Sequence, residues 1–469
     1  MTKLDLSSGA RRVVGVVVAA SALTWACSDG TIDESAAPPV ASDGGVDADD
    51  LVDAGADVDL EGPDAPAFSG RVTCGDAGPC VTALAANGGS HVCALLADES
   101  VRCWGDNASG QLGAETPVDA GVEGPHAAAP VRVAGVANAT QISVTGNGGG
   151  TSCARIVDGS VMCWGSNTTG QLGLGAEAVV TDTDAHPSAS AVQGVPFASR
   201  VDVAGSFACA TSALGDDDEG GSMSCWGNNS VLQLGRGPLP KRVGVAGPVD
   251  LRFRRVLAGA GTSRVAFAVR DSGELLSWGG GEWQTPQTPN VAPVRDALGR
   301  QSSLSPAGDP LEIPGLQGVT GVAAGAEHAC AVAGGSVYCW GVNKTGAVGN
   351  SSRQDVLEPY LVTIPGSGLL RNVSVSNTTS CVVTVGGGAY CWGDNTHGQL
   401  GRGDDEFTFH PTAIAGLKAR CVQLATMDRS TCALLEDGSV VCWGSNAKGE
   451  LGIGARDDLS HFKPENVAF

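Results

Sequence analysis

From residue 80 to the C-terminus, short apolar runs alternate with turns rich in glycine, asparagine and aspartate. The clearest stretch is STCALLEDGSVVCWGSNAKGELGIG, beginning at Ser430. Cys432-Ala-Leu-Leu predicts one strand and Val440-Val-Cys-Trp the next. Asp437-Gly438 between them is a tight hairpin turn signal. A Trp-Gly pair marks the end of such a hairpin seven times, at Trp104, Trp164, Trp226, Trp278, Trp340, Trp392 and Trp443. Seven copies of roughly fifty residues predict an all-β, seven-bladed β-propeller. A further strand near Pro130, Pro187, Pro240, Pro310, Pro359, Pro411 or Pro464 is read as preceding each hairpin. Residues 80–90 match the middle strand of a copy. On this phasing the chain starts within a blade and ends with the strand that blade lacks, KPENVAF. The N- and C-terminal strands would then share one blade and lock the ring.

Cysteines fall in register with the strands. Cys432 and Cys442 are symmetric about Asp437-Gly438, so they face each other across the hairpin at a separation a disulfide bridges. The other copies repeat the pair: Cys93 with Cys103, Cys153 with Cys163, Cys209 with Cys225, Cys330 with Cys339, and Cys381 with Cys391. In the fourth copy Phe267 and Ser277 occupy the two positions, so both cysteines are lost together. Zinc wants four ligands, and neither a Cys-x-x-Cys nor a nearby His cluster supplies them. Six disulfides are expected, each closing about eleven residues and each worth roughly 3 kcal/mol in the chain-entropy model. Cys74 and Cys80 are expected to pair with each other, and Cys421, in an apolar strand, is read as a buried thiol.

Composition changes the picture at the N-terminus. The chain has 469 residues with 28 Lys plus Arg, 50 Asp plus Glu and 69 Gly, for a formal charge of -22. So acidic a chain is a poor nucleic-acid binder, and no nucleic-acid partner is expected. Residues 1–26 carry Lys3, Arg11 and Arg12 before the apolar run VVGVVVAASALTWA, which reads as an export signal too short to span a bilayer. Cys27 ends that run in a pattern that resembles the lipobox of bacterial lipoproteins, which implies lipidation at Cys27. Plain secretion is the alternative. Residues 27–70 form an acidic tether; from 28 to 70 there are 12 acids and neither Lys nor Arg, a composition that cannot offset its chain entropy. Residues 71–469 are the propeller body. An oxidising compartment, required by the disulfides, agrees with export.

The pattern D-G-x-V-x-C-W-G-x-N-x-x-G-Q-L-G-x-G resembles the regulator of chromosome condensation repeat family over about residues 80–469. The cysteine pair resembles exported bacterial members. The resemblance implies seven blades. Two copies depart from it: GGGEWQTP replaces the Asn and Gly-Gln-Leu-Gly segment in the fourth, and Ala347-Val348 replaces Gln-Leu in the fifth. The exchange of nucleotide on the small GTPase Ran, known for eukaryotic members, is not carried over, because an exported chain meets neither Ran nor chromatin.

Repeated residues read as scaffold. The seven tryptophans are expected to pack between blades. Asn107, Asn167, Asn343, Asn395 and Asn446 are expected to bond their own loops. His91 and His328 are read as satisfied core side chains. Catalytic motifs such as His-Glu-x-x-His, Gly-x-x-x-x-Gly-Lys and Gly-x-Ser-x-Gly are missing. No enzyme activity, catalytic residue, metal or cofactor is expected. Function is expected where copies differ, in the insertions 114–129, 176–190, 214–222 and 280–309. Asp216, Asp217 and Asp218 form an acidic loop. Trp283 is the body's tryptophan outside the register and a candidate hot spot. The expected partner is another protein, with a glycan or envelope polymer as the alternative and an unrecognised hydrolase as the least favoured reading, and the expected state is monomeric.

Overall fold

A computed structural model describes residues 69–469. It leaves aside 76–77, 115–124, 176–180, 196, 213–221, 238–239, 250–255, 263, 281–296, 303–305 and 367. Its 28 strands form seven antiparallel four-stranded sheets, a seven-bladed all-β propeller. Blade 1 spans 81–132, blade 2 139–191, blade 3 198–248, blade 4 256–312, blade 5 319–362, blade 6 370–413 and blade 7 421–466. Within each blade the strands pair in sequence order.

This order corrects one expectation. The terminal strands do not share a blade: Val81–Ala85 pairs with the hairpin that follows it, and Ser460–Asn466 pairs with the hairpin that precedes it. Each proline strand is the fourth, outermost strand of the blade whose tryptophan it follows. Cys103 lies opposite Val131, and Cys391 opposite Thr412. Proline lacks an N–H to donate, so it is tolerated at this edge and not inside the ladder. The available signal was the order Trp-then-Pro in all seven copies.

The two middle strands of a blade face a neighbouring blade on each side. His91–Leu96, Thr379–Thr384 and Ser430–Leu435 are therefore buried along their whole length rather than at every second residue. The hydrophobic core is accordingly not one cluster. Among the described residues it forms seven, each between two adjacent blades and each centred on one tryptophan. Trp104 occupies the layer between blades 7 and 1, with Leu434 and Leu451 on one side and Val92 and Leu96 on the other.

All seven repeat tryptophans are fully buried. Each indole Nε1 donates at 2.8–2.9 Å to a main-chain carbonyl of the preceding blade. The acceptors are Glu450, Gln111, Gln171, Gln233, Ala297, Ala347 and Gln399, for Trp104 to Trp443 in chain order. Blade 7 thus docks on blade 1 by the same bond that joins every other pair. A second clamp at this seam comes from Gln423, whose amide donates to Leu84 O at 2.7 Å and accepts from Leu84 N at 3.0 Å.

The fourth blade was misread in one respect. Its Gln-Leu-Gly segment is not lost; it resumes as Ala297-Leu298-Gly299, and Ala297 O receives Trp340. Phe267 and Ser277 face each other in register where the other blades carry the cysteine pair. Buried Arg300 donates to Ser277 Oγ at 3.1 Å and Ser277 O at 2.9 Å, tying this hairpin to its return loop.

Candidate interaction surface

In the six hairpins with cysteines, each pair is bonded, with Cα atoms 4.1 Å apart. All twelve residues are buried. Cys74 is bonded to Cys80. Cys421 is free and fully buried, and burial pushes its thiol up to about 12, far from a reactive thiolate.

The repeat asparagine shapes the loop between third and fourth strands. The Oδ1 of Asn107, Asn167, Asn229, Asn343, Asn395 and Asn446 accepts the N–H five residues on, at 2.9–3.4 Å. The residue three after it turns the chain at positive φ. It is glycine in five of these loops, but Leu232 holds φ 62° in blade 3. Asn229 belongs to this set and was not singled out from sequence, because a leucine stands where the glycine signal should be.

His91 and His328 are buried and paired across a seam. His91 Nε2 meets Ser152 Oγ at 3.1 Å, and Ser152 donates to the same Gln111 carbonyl that Trp164 uses. His328, Ser380 and Ala347 repeat this chain with Trp392. Burial lowers both imidazoles to about 4.

The first strands of all seven blades line an axial channel of about 310 Å³. Its wall is stitched by side chains. Gln141 makes a two-bond clamp on Val201, and the Arg200 guanidinium pairs with Asp202 at 2.7 Å. At one mouth the loops after the first strands cross the axis. Asn87 Nδ2 donates to Ala324 O, from blade 1 to blade 5, and Asn147 and Asn377 exchange amide bonds between blades 2 and 6. Glycine is required there: a Cβ on Gly89 would strike the Gly146 backbone.

Strand direction sorts the insertions onto two faces. Loops joining first to second and third to fourth strands lie on the crossed face; the hairpin turns lie on the other. Residues 114–129, 176–190 and 280–309 all follow a third strand, so the points where three of the four insertions leave the blades lie on the crossed face, on blades 1, 2 and 4; residues 115–124, 176–180 and 281–296 within them lie outside the described residues. The 214–222 insertion, outside the described residues but for Ser222, falls between the two strands of a hairpin, Phe207–Ser212 and Met223–Asn228, whose joined ends lie on the opposite face. Trp283, Asp216, Asp217 and Asp218 lie outside the described residues, as does Cys27. On the outer strands of blades 4 and 5, Leu311, Leu357, Tyr360 and Leu361 are exposed. Among the described residues no three His, Cys, Asp or Glu side chains are arranged to hold a metal ion.

The Regulator of chromosome condensation (RCC1) repeat description matches residues 386–434, and a second description of the same repeat matches 81–111, 371–399 and 423–450. The chain is similar to the ultraviolet-B receptor UVR8 of Arabidopsis thaliana, 28% identical over 68% of this chain and 69% of the receptor. It is also similar to the human E3 ubiquitin-protein ligase HERC2, 27% identical over 78% of this chain but spanning only 7% of the ligase. Among solved structures, Prp20p from Saccharomyces cerevisiae, described with its binding to Gsp1p and histones, shares the fold with a TM-score of 0.62. It is 17% identical, over 79% of this chain and 86% of that one.

The buried histidines have a measurable consequence. Their folded pKa values lie below the unfolded value near 6.5, so the unfolded chain binds protons first. The stability they contribute is present above pH 6.5 and is lost as pH falls toward 4. Each histidine accounts for about 3 kcal/mol of that loss. His461 acts in the opposite sense. Burial works against its charge, but its hydrogen bonds to Glu465 and Asp457 hold its pKa above the usual value. Urea unfolding of the H91Q/H328Q variant between pH 7 and 4 should show a clearly shallower loss than the parent. Equal slopes would contradict this assignment.

Proposed function

We propose that this chain, a seven-bladed propeller of regulator of chromosome condensation repeats, is an exported binding scaffold that holds another protein on its crossed face and does no chemistry of its own. The observation that carries this reading is the shared exit of three repeat-breaking insertions on one face, around a mouth closed by main-chain and amide bonds. A propeller whose repeats are spent on holding blades together has its variable loops free for recognition. Protein binding also fits two of the similar proteins, an E3 ubiquitin-protein ligase and a protein characterised by its binding to Gsp1p and histones. These are similarities of repeat and fold, and their particular partners do not transfer.

Export rests on the cysteines and the N-terminus together. Seven disulfides belong to an oxidising compartment. Residues 1–26 supply a signal, Cys27 the lipid site, and 27–70 a charged spacer before the body. The chain enters the propeller at Ser69 on the hairpin-turn face, where Arg371 donates to Ser69 O. The crossed face stays clear of that entry point.

Two experiments follow. The full chain, used as bait against envelope and culture-supernatant extract, should retain a defined protein that is lost when 280–309 is deleted and kept when 214–222 is deleted. Retention of glycan alone would replace the protein reading with polymer binding, and retention independent of both deletions would refute the face assignment. Cys27→Ser should move the protein from the membrane fraction to the soluble fraction; unchanged partitioning would retire the lipid anchor.

A further inference from the structure

Six of the seven seams between blades are crossed by the chain itself, which runs from the fourth strand of one blade into the first strand of the next. The seam between blades 7 and 1 has no such connection. A strap takes its place. Thr73 N donates to Glu436 O at 2.7 Å and Val72 packs on the cluster around Trp104, so residues 72–73 lie on blade 7. Cys80 O accepts from Ala97 N at 2.9 Å, which ties Cys80 to blade 1, and Val81 N reaches back to Gly438 O at 3.1 Å. The Cys74–Cys80 disulfide joins the two halves of the strap. Gly438 makes room for it: a Cβ there would collide with Cys80 Sγ.

The seven disulfides differ in access. The twelve hairpin cysteines are no more than 3% exposed, whereas Cys74 is exposed. Thiol–disulfide exchange needs a thiolate to reach a sulfur, so access decides which bridge reacts.

We propose that Cys74–Cys80 is a reducible clasp on the one seam of the ring that has no fourth-to-first-strand connection, and that an external dithiol reductant opens it while the hairpin bridges stay closed. One thiolate of the reductant attacks Cys74 Sγ, forming a mixed disulfide and releasing Cys80 as a thiolate that takes up a proton. The second thiol of the reductant, losing its own proton, displaces Cys74. Two electrons pass to the protein, leaving two cysteine thiols and an oxidised dithiol. Opening frees residues 72–73 from blade 7 and loosens the seam. The Trp104 and Gln423 bonds still hold it, so the ring stays folded.

The test is stepwise reduction of the full chain, with iodoacetamide trapping, peptide mass spectrometry and hydrogen exchange. Cys74 and Cys80 should label at least about tenfold faster than any hairpin cysteine. Exchange should rise in 69–81 and 434–438, with far-ultraviolet circular dichroism unchanged. A C74S/C80S variant should show the same local rise without reductant. Labelling of hairpin cysteines at the same rate would overturn the selectivity. A C74S/C80S variant with parental exchange at the seam would overturn the clasp.

Discussion

The structure depends on one hydrogen bond made seven times. A tryptophan indole in the third strand of each blade donates to the carbonyl two residues before the last glycine of the preceding blade's Gly-Gln-Leu-Gly turn. The bond is buried, and its acceptor is main chain, so it constrains where the loop can lie and not what side chain the loop carries. Glutamine, glutamate and alanine all serve as acceptor residues. At the closing seam the acceptor residue is Glu450, whose carboxyl is pushed up by burial and accepts Lys448 N. A main-chain acceptor lets the same joint survive the substitution of Glu for Gln there and the insertion in blade 4.

That joint explains why the ring closes without a shared strand. Sharing a strand between the two ends protects a propeller by making one blade from both termini. Here each blade is finished in sequence and closure is a docking of complete blades, by the Trp104 bond, the Gln423 clamp and a shared apolar layer. The hairpin disulfides stabilise each blade internally and cross no seam. The side-chain links are thus divided, disulfides within a blade and hydrogen bonds and apolar contacts between blades, with the N-terminal strap over the seam that has no fourth-to-first-strand connection.

Much of this was legible in the sequence because the repeat reports on itself. Symmetry about Asp437-Gly438 identified which cysteines face each other, and the joint loss at Phe267 and Ser277 marked a paired position. What was not legible followed from physics that repeats do not encode. A strand's composition does not say which neighbour it pairs with, so the proline strands were assigned one blade too late. The fourth acceptor turn, reduced to Ala297-Leu298-Gly299 behind an insertion, keeps only the carbonyl that matters. The Gln141 clamp between neighbouring blades and the Asn377 bond across the axis arise at positions that vary between copies, and only the assembled ring shows which blades they join. The loops expected to carry function were readable as insertions, but the face that three of the four share required strand direction.

The central claim is that all seven seams carry the same tryptophan joint, including the one between the chain's two ends. Hydrogen exchange of the indole N–H protons in the oxidised full chain, followed by NMR, tests it directly. Trp104, Trp164, Trp226, Trp278, Trp340, Trp392 and Trp443 should all be protected, with Trp104 exchanging in the same range as the other six. Rapid exchange at Trp104 alone, at the rate of a solvent-exposed indole, would show a ring left open between blades 7 and 1.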